Sequence, residues 1–194
     1  MTIFSGFTQK TPQHFQLDAG AFLKNYDVAT DTWATAKATK LLGATEGGGS
    51  FSATPTIRSI PVDGVKGATK GLETIDEWVV TLTANVKEVT AENIKLALAA
   101  ADTSTVETPA GYTKITGRSE IKIEDYMDNV TWVGRLSGSN DPVIIIVKGA
   151  LCLSGLTITF ADKAEGKIPI TVTGHYDYAD LETPPFDIYY PTVK

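Results

Sequence analysis

Two residues in the chain have the chemistry of a nucleophile and its base: Cys152 and His175. A thiol activated by a neighbouring imidazole can attack an acyl carbon. The surroundings of Cys152 argue against this use. Ala150-Leu151-Cys152-Leu153 reads as a buried strand, where a thiol is inert packing. The other histidine, His14, lies beside Phe15 in a polar stretch. Gly43–Ser50 (GATEGGGS) has the glycine content of a phosphate loop. It lacks the lysine that must precede the final Ser, and Glu46 would repel phosphate. Glu124, Asp125 and Asp128 could supply paired carboxylates or calcium ligands. Their spacing matches no calcium loop, so a solvated turn is expected. The aromatic group Tyr176, Tyr178, Phe186, Tyr189 and Tyr190 could stack on a sugar, fill the core, or form a subunit interface, and interface is the preferred reading. No catalytic residue, cofactor site or metal-ligand set is expected.

The composition narrows the classes further. Seventeen Lys and Arg against 23 Asp and Glu leave a net charge of −6 over 194 residues. Apolar residues at 42% and charged residues at 21% suit a globular domain and exclude a wholly disordered chain. An acidic chain is poorly suited to gripping nucleic acid, which needs clustered Lys and Arg. A lone cysteine excludes an intrachain disulfide and a Cys-based zinc cluster. No basic-then-apolar leader is visible in Met1–Phe15. The longest apolar runs, Val143–Val147 and Gly149–Leu153, fall far short of the ~20 residues a membrane span needs. A soluble protein made in a reducing cytoplasm is expected, and Asn129-Val130-Thr131 is then a coincidental glycosylation sequon.

Charge and pattern divide the chain. Residues 1–72 carry a net charge of +2 and the remainder −8. The early part is rich in Thr, Ala and Gly, and it is expected to form an N-terminal arm (1–29) and a long assembly loop or hairpin (30–72). Both would pack on something other than themselves, with solvated surface loops as the other reading for most of these residues. Within it, Thr32–Leu42 reads as a weak helix or a ribbon, with the alternation Trp33, Thr35, Lys37, Thr39 favouring the ribbon. Gly47-Gly48-Gly49 predicts a flexible or tightly approached backbone. Ser52–Val62 reads as extended, ending in a turn at Pro61–Gly64.

Residues 73–194 carry clearer signals. Trp78, Val80, Leu82, Ala84 and Val86 alternate with polar positions, which is strand periodicity. Thr90 predicts the cap of a helix over Ala91–Ala101, with Ile94, Leu98 and Ala101 on one stripe and Glu92 in the first turn. Strands are predicted over Lys114–Glu124, Asn129–Leu136 and Val143–Leu153. Thr157–Ala161 and Ile168–Tyr176 read as a hairpin around Asp162–Lys167. The tail Pro184–Pro191 reads as an edge strand or arm. Many strands around one helix make an α+β domain of mainly antiparallel neighbours.

Read in order, several segments resemble the tail tube (major tail) proteins of long-tailed bacteriophages. They are Phe15–Tyr26 (FQLDAGAFLKNY), Leu42–Gly64 (LGATEGGGSFSATPTIRSIPVDG), Lys70–Asp102, Tyr126–Leu136 (YMDNVTWVGRL), Pro142–Leu153 (PVIIIVKGALCL) and Pro185–Pro191 (PFDIYYP). The resemblance implies a β-sandwich or rolled sheet with one flanking helix. It implies six copies in a ring and rings stacked into a hollow tube that conducts phage DNA during ejection. Four strands per copy would build a 24-stranded inner barrel, roughly 48 Å across at ~4.8 Å per strand and a tilt near 40°. A duplex would pass through, touching the lumen transiently and without sequence preference. The implied partners are further copies of the chain, a tape-measure protein, a tail chaperone, a tail tip and a terminator. The implied location is the virion tail, assembled in the host cytoplasm, with no membrane contact.

On this reading, contacts between subunits or rings would fall to Phe15, Leu17, Trp33, Gly47, Gly48, Gly49, Phe51, Arg58, Phe186, Tyr189 and Tyr190. The polar positions Thr81, Thr83, Asn85, Thr171 and Thr173 would face the lumen or the tube's outside. Two other readings remain open. One is an inner-tube protein of a contractile tail or tailocin-like particle. The other is a β-sandwich binding module with a tyrosine platform.

Overall fold

The computed structural model describes residues 6–160, 162–163 and 165–193. Its strands are β1 (Gln16–Lys24), β2 (Thr45–Ser59), β3 (Glu73–Val86), β4 (Ala101–Val106), β5 (Tyr112–Gly117), β6 (Met127–Leu136), β7 (Val143–Cys152), β8 (Ile168–Thr173) and β9 (Phe186–Tyr189). Two short helices, α1 (Trp33–Thr39) and α2 (Ala91–Ala97), interrupt them. The chain is therefore α+β and mostly antiparallel β. The main sheet runs β1-β6-β7-β8-β3-β2, with β9 also paired to β7, and it is curled.

One face of the curl is the core. Val80, Leu82, Ala84 and Val86 of β3 point inward with Ile168, Ile170 and Val172 of β8, all essentially inaccessible to water. Phe22 of β1 lies opposite Trp132 of β6 in register, and both are buried. Each of the buried Val, Leu, Ile and Phe side chains contributes roughly 1.5–3 kcal/mol by leaving water.

Residues 40–45 close the curl at one end. Lys24 donates its backbone N–H to the Lys40 carbonyl at 2.7 Å, and Leu42 donates to Phe22 at 2.9 Å. Further along this segment, the Ala44 carbonyl accepts from Lys87 at 2.8 Å. This strap therefore bonds to β1 on one side and to the end of β3 on the other. Asn93, buried in α2, donates both amide hydrogens, to the carbonyls of Leu42 (2.8 Å) and Glu88 (2.9 Å). A buried amide with both donors satisfied holds the helix against the strap.

An ionic cluster reinforces the same end. Glu46 accepts from Lys87 at 2.8 Å and from Lys167 at 2.5 Å, and Lys87 also reaches Glu165 at 2.9 Å. The hydrogen bonds from Lys167 and then Lys87 bring the Glu46 carboxyl down to about 2 from 4.5.

Several expectations need correction. Residues 6–29 are not wholly an arm, because Gln16–Lys24 form a paired strand whose Phe22 and Leu23 are fully buried, and residues 1–5 lie outside the described residues. The preferred ribbon over Thr32–Leu42 is a helix, α1. Thr32 caps it by accepting from the Thr35 N–H, while the Thr35 hydroxyl accepts from the Thr32 N–H. This local capping box overrides the β preference of the threonines. Gly47, Gly48 and Gly49 lie inside β2, and of the two conditions expected of them the tightly approached backbone is the one found. Gly47 and Gly48 take φ of 78° and 64° at a register shift, and a Cβ on Gly49 would overlap the Thr83 carbonyl and lie 2.6 Å from the Phe22 ring.

Helix α2 stops at Ala97, not Ala101. Ala99 adopts φ 59° and Ala101 opens β4. The strand expected over Lys114–Glu124 ends at Gly117, and it pairs with β4 in a separate two-stranded ribbon. Residues 157–160 form no strand, and Ala161 lies outside the described residues. β8 instead pairs with β3 and with the end of β7. The tail does form an edge element, β9.

Thr90 accepts from the Asn93 N–H at 3.1 Å. Thr90→Ala should lower stability by about 0.5–2 kcal/mol in urea unfolding. Gly49→Ala, which crowds Phe22, should cost about 1–3 kcal/mol in the same measurement. Because the Glu46 carboxyl titrates lower when folded than unfolded, its contribution is complete above pH ~4.5 and is lost as the pH falls toward 2. Glu46→Gln should therefore narrow the gap between the melting temperatures at pH 7 and pH 3; an unchanged gap would remove the cluster's role.

Candidate functional site

The chemistry-bearing residues do not assemble into a reactive centre among the described residues. Cys152 is buried, and its Sγ lies 3.3 Å from the Ser154 hydroxyl. His175 uses Nδ1 on the Gly149 carbonyl at 2.9 Å and stands edge-on to Tyr126, with ring centroids 5.1 Å apart. No hydrogen bond joins Cys152 to His175 among the described residues. Asp125 is spent on an ion pair with Arg118. No group of three or more His, Cys, Asp or Glu is placed to hold a metal among the described residues. The supposed tyrosine platform is dispersed. Tyr176 accepts the Trp78 N–H at 2.9 Å, and Phe186 packs against Trp78 (5.4 Å) and Phe51 (5.9 Å). Tyr178 stands exposed and does not line the groove that Tyr189 and Tyr190 line.

Three surface features remain. The first is a protruding hairpin. From Gly49 to Pro55, β2 alternates half-buried Phe51, Ala53 and Pro55 with exposed serines and Thr54. Pro55 is tolerated because β2 is an edge strand. A register shift between Thr56 and Ile57 then breaks this pattern. Beyond it the ribbon exposes both faces. Ile57 (60%), Ile75 (50%), Ile60, Val62 and Val65 are all open to water. Arg58 lies here, paired with Asp76 at 3.0 Å.

The second feature is a hydroxyl-rich face. Thr81 and Thr83 of β3 lie beside Thr173 and Thr171 of β8, and Thr83 and Thr171 share a hydrogen bond of 2.9 Å. On the other side of β3, Ser52 and Ser50 of β2 continue the same two rows. Asn85 lies two residues along the same face. The structure thus brings all five residues of the polar set onto one face, and none of them carries a charge. Ser50 was missed because it ends the glycine-rich GATEGGGS, and Ser52 because its strand was not placed beside β3. Their alternation with Gly49, Phe51 and Ala53 was the available signal.

The third is a groove of about 1680 Å³ on the β1–β6–β7 side. Its floor is small residues, Ala19, Gly20, Ala21 and Gly134, and its walls are aromatic. The floor is low because Gly134 and Gly20 have no room for a Cβ beside the Trp132 indole. That indole is anchored by its N–H on the Ala19 carbonyl at 2.9 Å. Asp18 (φ 70°) and Gly20 (φ 72°) form a bulge in β1, and Asp tolerates the left-handed region better than most residues. Trp33, Tyr189 and Tyr190 converge here with Tyr26 and Ile144, which sequence reasoning missed. Tyr26 is held by Asn129, whose Oδ1 accepts its N–H at 2.9 Å and whose amide donates to its carbonyl at 3.0 Å, and a turn at residues 27–31 follows. There the Thr30 hydroxyl and the Ala29 N–H lower the Asp27 carboxyl, and the Asp27 N–H and then Lys40 lower Asp31.

The other expected contact residues are placed as follows. Phe15 is half exposed and bonds through its backbone to Ser137, a groove residue. Leu17 pairs with Arg135, also a groove residue. Gly48, Gly49, Phe51 and Phe186 serve packing within the chain, and Gly47 belongs to the β2 register shift.

No family model matches the chain, and no curated protein matches it. No helix among the described residues is long and apolar enough to cross a membrane.

Proposed function

We propose that the chain is a structural subunit that assembles into stacked hexameric rings, forming the hollow tail tube of a bacteriophage through which DNA passes. The observation that carries this reading is the β2–β3 hairpin. Beyond Thr56 it extends away from the core with five large aliphatic side chains exposed: Ile57, Ile60, Val62, Val65 and Ile75. A two-stranded ribbon is marginally stable alone in water, and exposed apolar surface of this kind marks an interaction site. Burial against other copies of the chain resolves both problems.

The sheet edges support the same reading. β2 is an unguarded edge along residues 50–54, with no Lys and no inward charge to prevent pairing with another chain. In a ring these edges would be paired by neighbours. The neutral hydroxyl face of β2, β3 and β8 suits a lumen. Uncharged hydroxyls neither grip phosphates nor repel them strongly, so a duplex would slide. The tape-measure, chaperone, tip and terminator proteins belong to this proposal as partners, and the virion tail as its location.

The inner tube of a contractile tail or tailocin-like particle is the same proposal with a sheath around it. A binding module is favoured by one observation, the aromatic groove, since Trp and Tyr walls with a nearby Arg suit a sugar.

Negative-stain electron microscopy of the purified protein across a concentration series should show rings or hollow tubes. The strap and α1 are part of the fold, so the informative variant shortens only the hairpin, replacing residues 57–76 with an Asn-Gly turn so that Thr56 and Glu77 stay paired. That variant should keep its melting transition and form no rings or tubes. Tubes formed by the shortened chain would sink the hairpin's role; a wild type that stays monomeric and binds a glycan array would favour the binding module.

A further inference from the structure

We propose that the aromatic groove is the receptor for the hairpin of a second copy, so that residues 57–75 of one chain seat between Trp33 and the Tyr189-Tyr190 pair of the next. The inference rests on the self-assembly reading and adds to it the identity of the receiving surface.

Three observations lead to it. The groove is lined by aromatic residues together with polar ones such as Asp18, Arg135 and Asp141, and its Ala and Gly residues leave room for side chains from outside. The hairpin carries aliphatic side chains on a narrow ribbon and lacks any apolar surface of its own to cover them. None of the hairpin's residues lines the groove of its own chain, so the two surfaces can meet only between copies. Such a contact joins two different patches, and repetition gives a closed ring or an extending stack.

Charge selects the same pairing. Residues 57–75 hold Arg58, Lys66 and Lys70 against Asp63 and Glu73, with Arg58 already paired to Asp76. The groove rim holds the exposed acids Asp18 and Asp141 against Arg135. Among the described residues none of Lys66, Lys70, Asp18 and Asp141 has an ion-pair partner. Their charges are therefore open to a partner copy, where opposite potentials would set register and speed encounter.

The test is sedimentation velocity at low ionic strength, where exposed charges are least screened. The full-length wild type is compared with Asp141→Lys, with Lys66→Glu/Lys70→Glu, and with the chain carrying all three changes. Asp141 and both lysines are exposed, and circular dichroism melts would verify that each variant folds. Each partial variant should weaken association about tenfold or more, and the combined variant should recover most of it. Trp33→Ala should weaken association without altering the salt dependence. If the wild type associates but charge reversal, its combination and Trp33→Ala all leave association unchanged, the groove is not the receptor while self-assembly stands. If the wild type does not associate at all, the self-assembly reading falls and the groove proposal falls with it. A groove that takes a glycan in place of the hairpin, with Trp33→Ala abolishing that binding in a monomer, would also overturn it.

Discussion

The structure depends on how a curled sheet closes. Its two end strands, β1 and β2, come together only where β2 carries Gly48 and Gly49, because any Cβ on Gly49 would collide with Phe22 and the Thr83 carbonyl. The strap at residues 40–45 bonds to both sides of this gap, and Asn93 ties it to α2. Closure at one end fixes the core around Phe22, Trp132 and the β3–β8 pair. It also leaves the other end of β2 and β3 with nothing to pack on. The exposed hairpin is the geometric consequence of closing the sheet where glycine permits.

That division accounts for the chain's surfaces. On one side of β3, alternation buries Val80, Leu82 and Ala84. On the other it lines up Thr81 and Thr83 with hydroxyls from β2 and β8. The same period-two pattern thus produces a core and a neutral polar face from one strand. The groove arises differently, from a bulge at Asp18 and Gly20 and from the room the Trp132 indole requires. Small residues there make a floor, and aromatics brought from α1 and the chain's end make walls.

The dispersal of the chemistry-bearing residues follows from the same packing. Cys152 and His175 lie in the crowded region where β7, β8 and β9 meet. Each is committed to a local partner, a hydroxyl for one and a carbonyl for the other. Acidic residues are likewise used structurally, as Asp125 is by Arg118 and Glu46 by Lys87 and Lys167. Among the surfaces left open to solvent are the apolar ribbon, the aromatic groove and the hydroxyl face.

The sequence by itself determined the elements whose signal is local. β3, β6, β7 and β8 follow from apolar alternation or runs of β-branched residues, and the start of α2 follows from Thr90. The polar rows Thr81, Thr83, Asn85, Thr171 and Thr173 were legible for the same reason, since a strand's faces are set by period two. Tertiary structure decided the rest. Helical periodicity through Leu98 and Ala101 could not reveal that the chain turns at Ala99 and enters β4, because Leu98, Ala100 and Ala101 fit a helix or a strand end equally well. The threonines of residues 32–39 suited a ribbon until Thr32 and Thr35 capped each other. The triple glycine left freedom and close approach both open, and the fold uses it for close approach across the closing sheet. Phe51 and Phe186, far apart in sequence, looked available for a partner, and only long-range packing of Phe186 against Phe51 and Trp78 shows that they serve the chain itself. Local patterns specify which face of a strand is apolar; which apolar faces find a cover within the chain depends on contacts between residues distant in sequence, and those only the assembled sheet supplies.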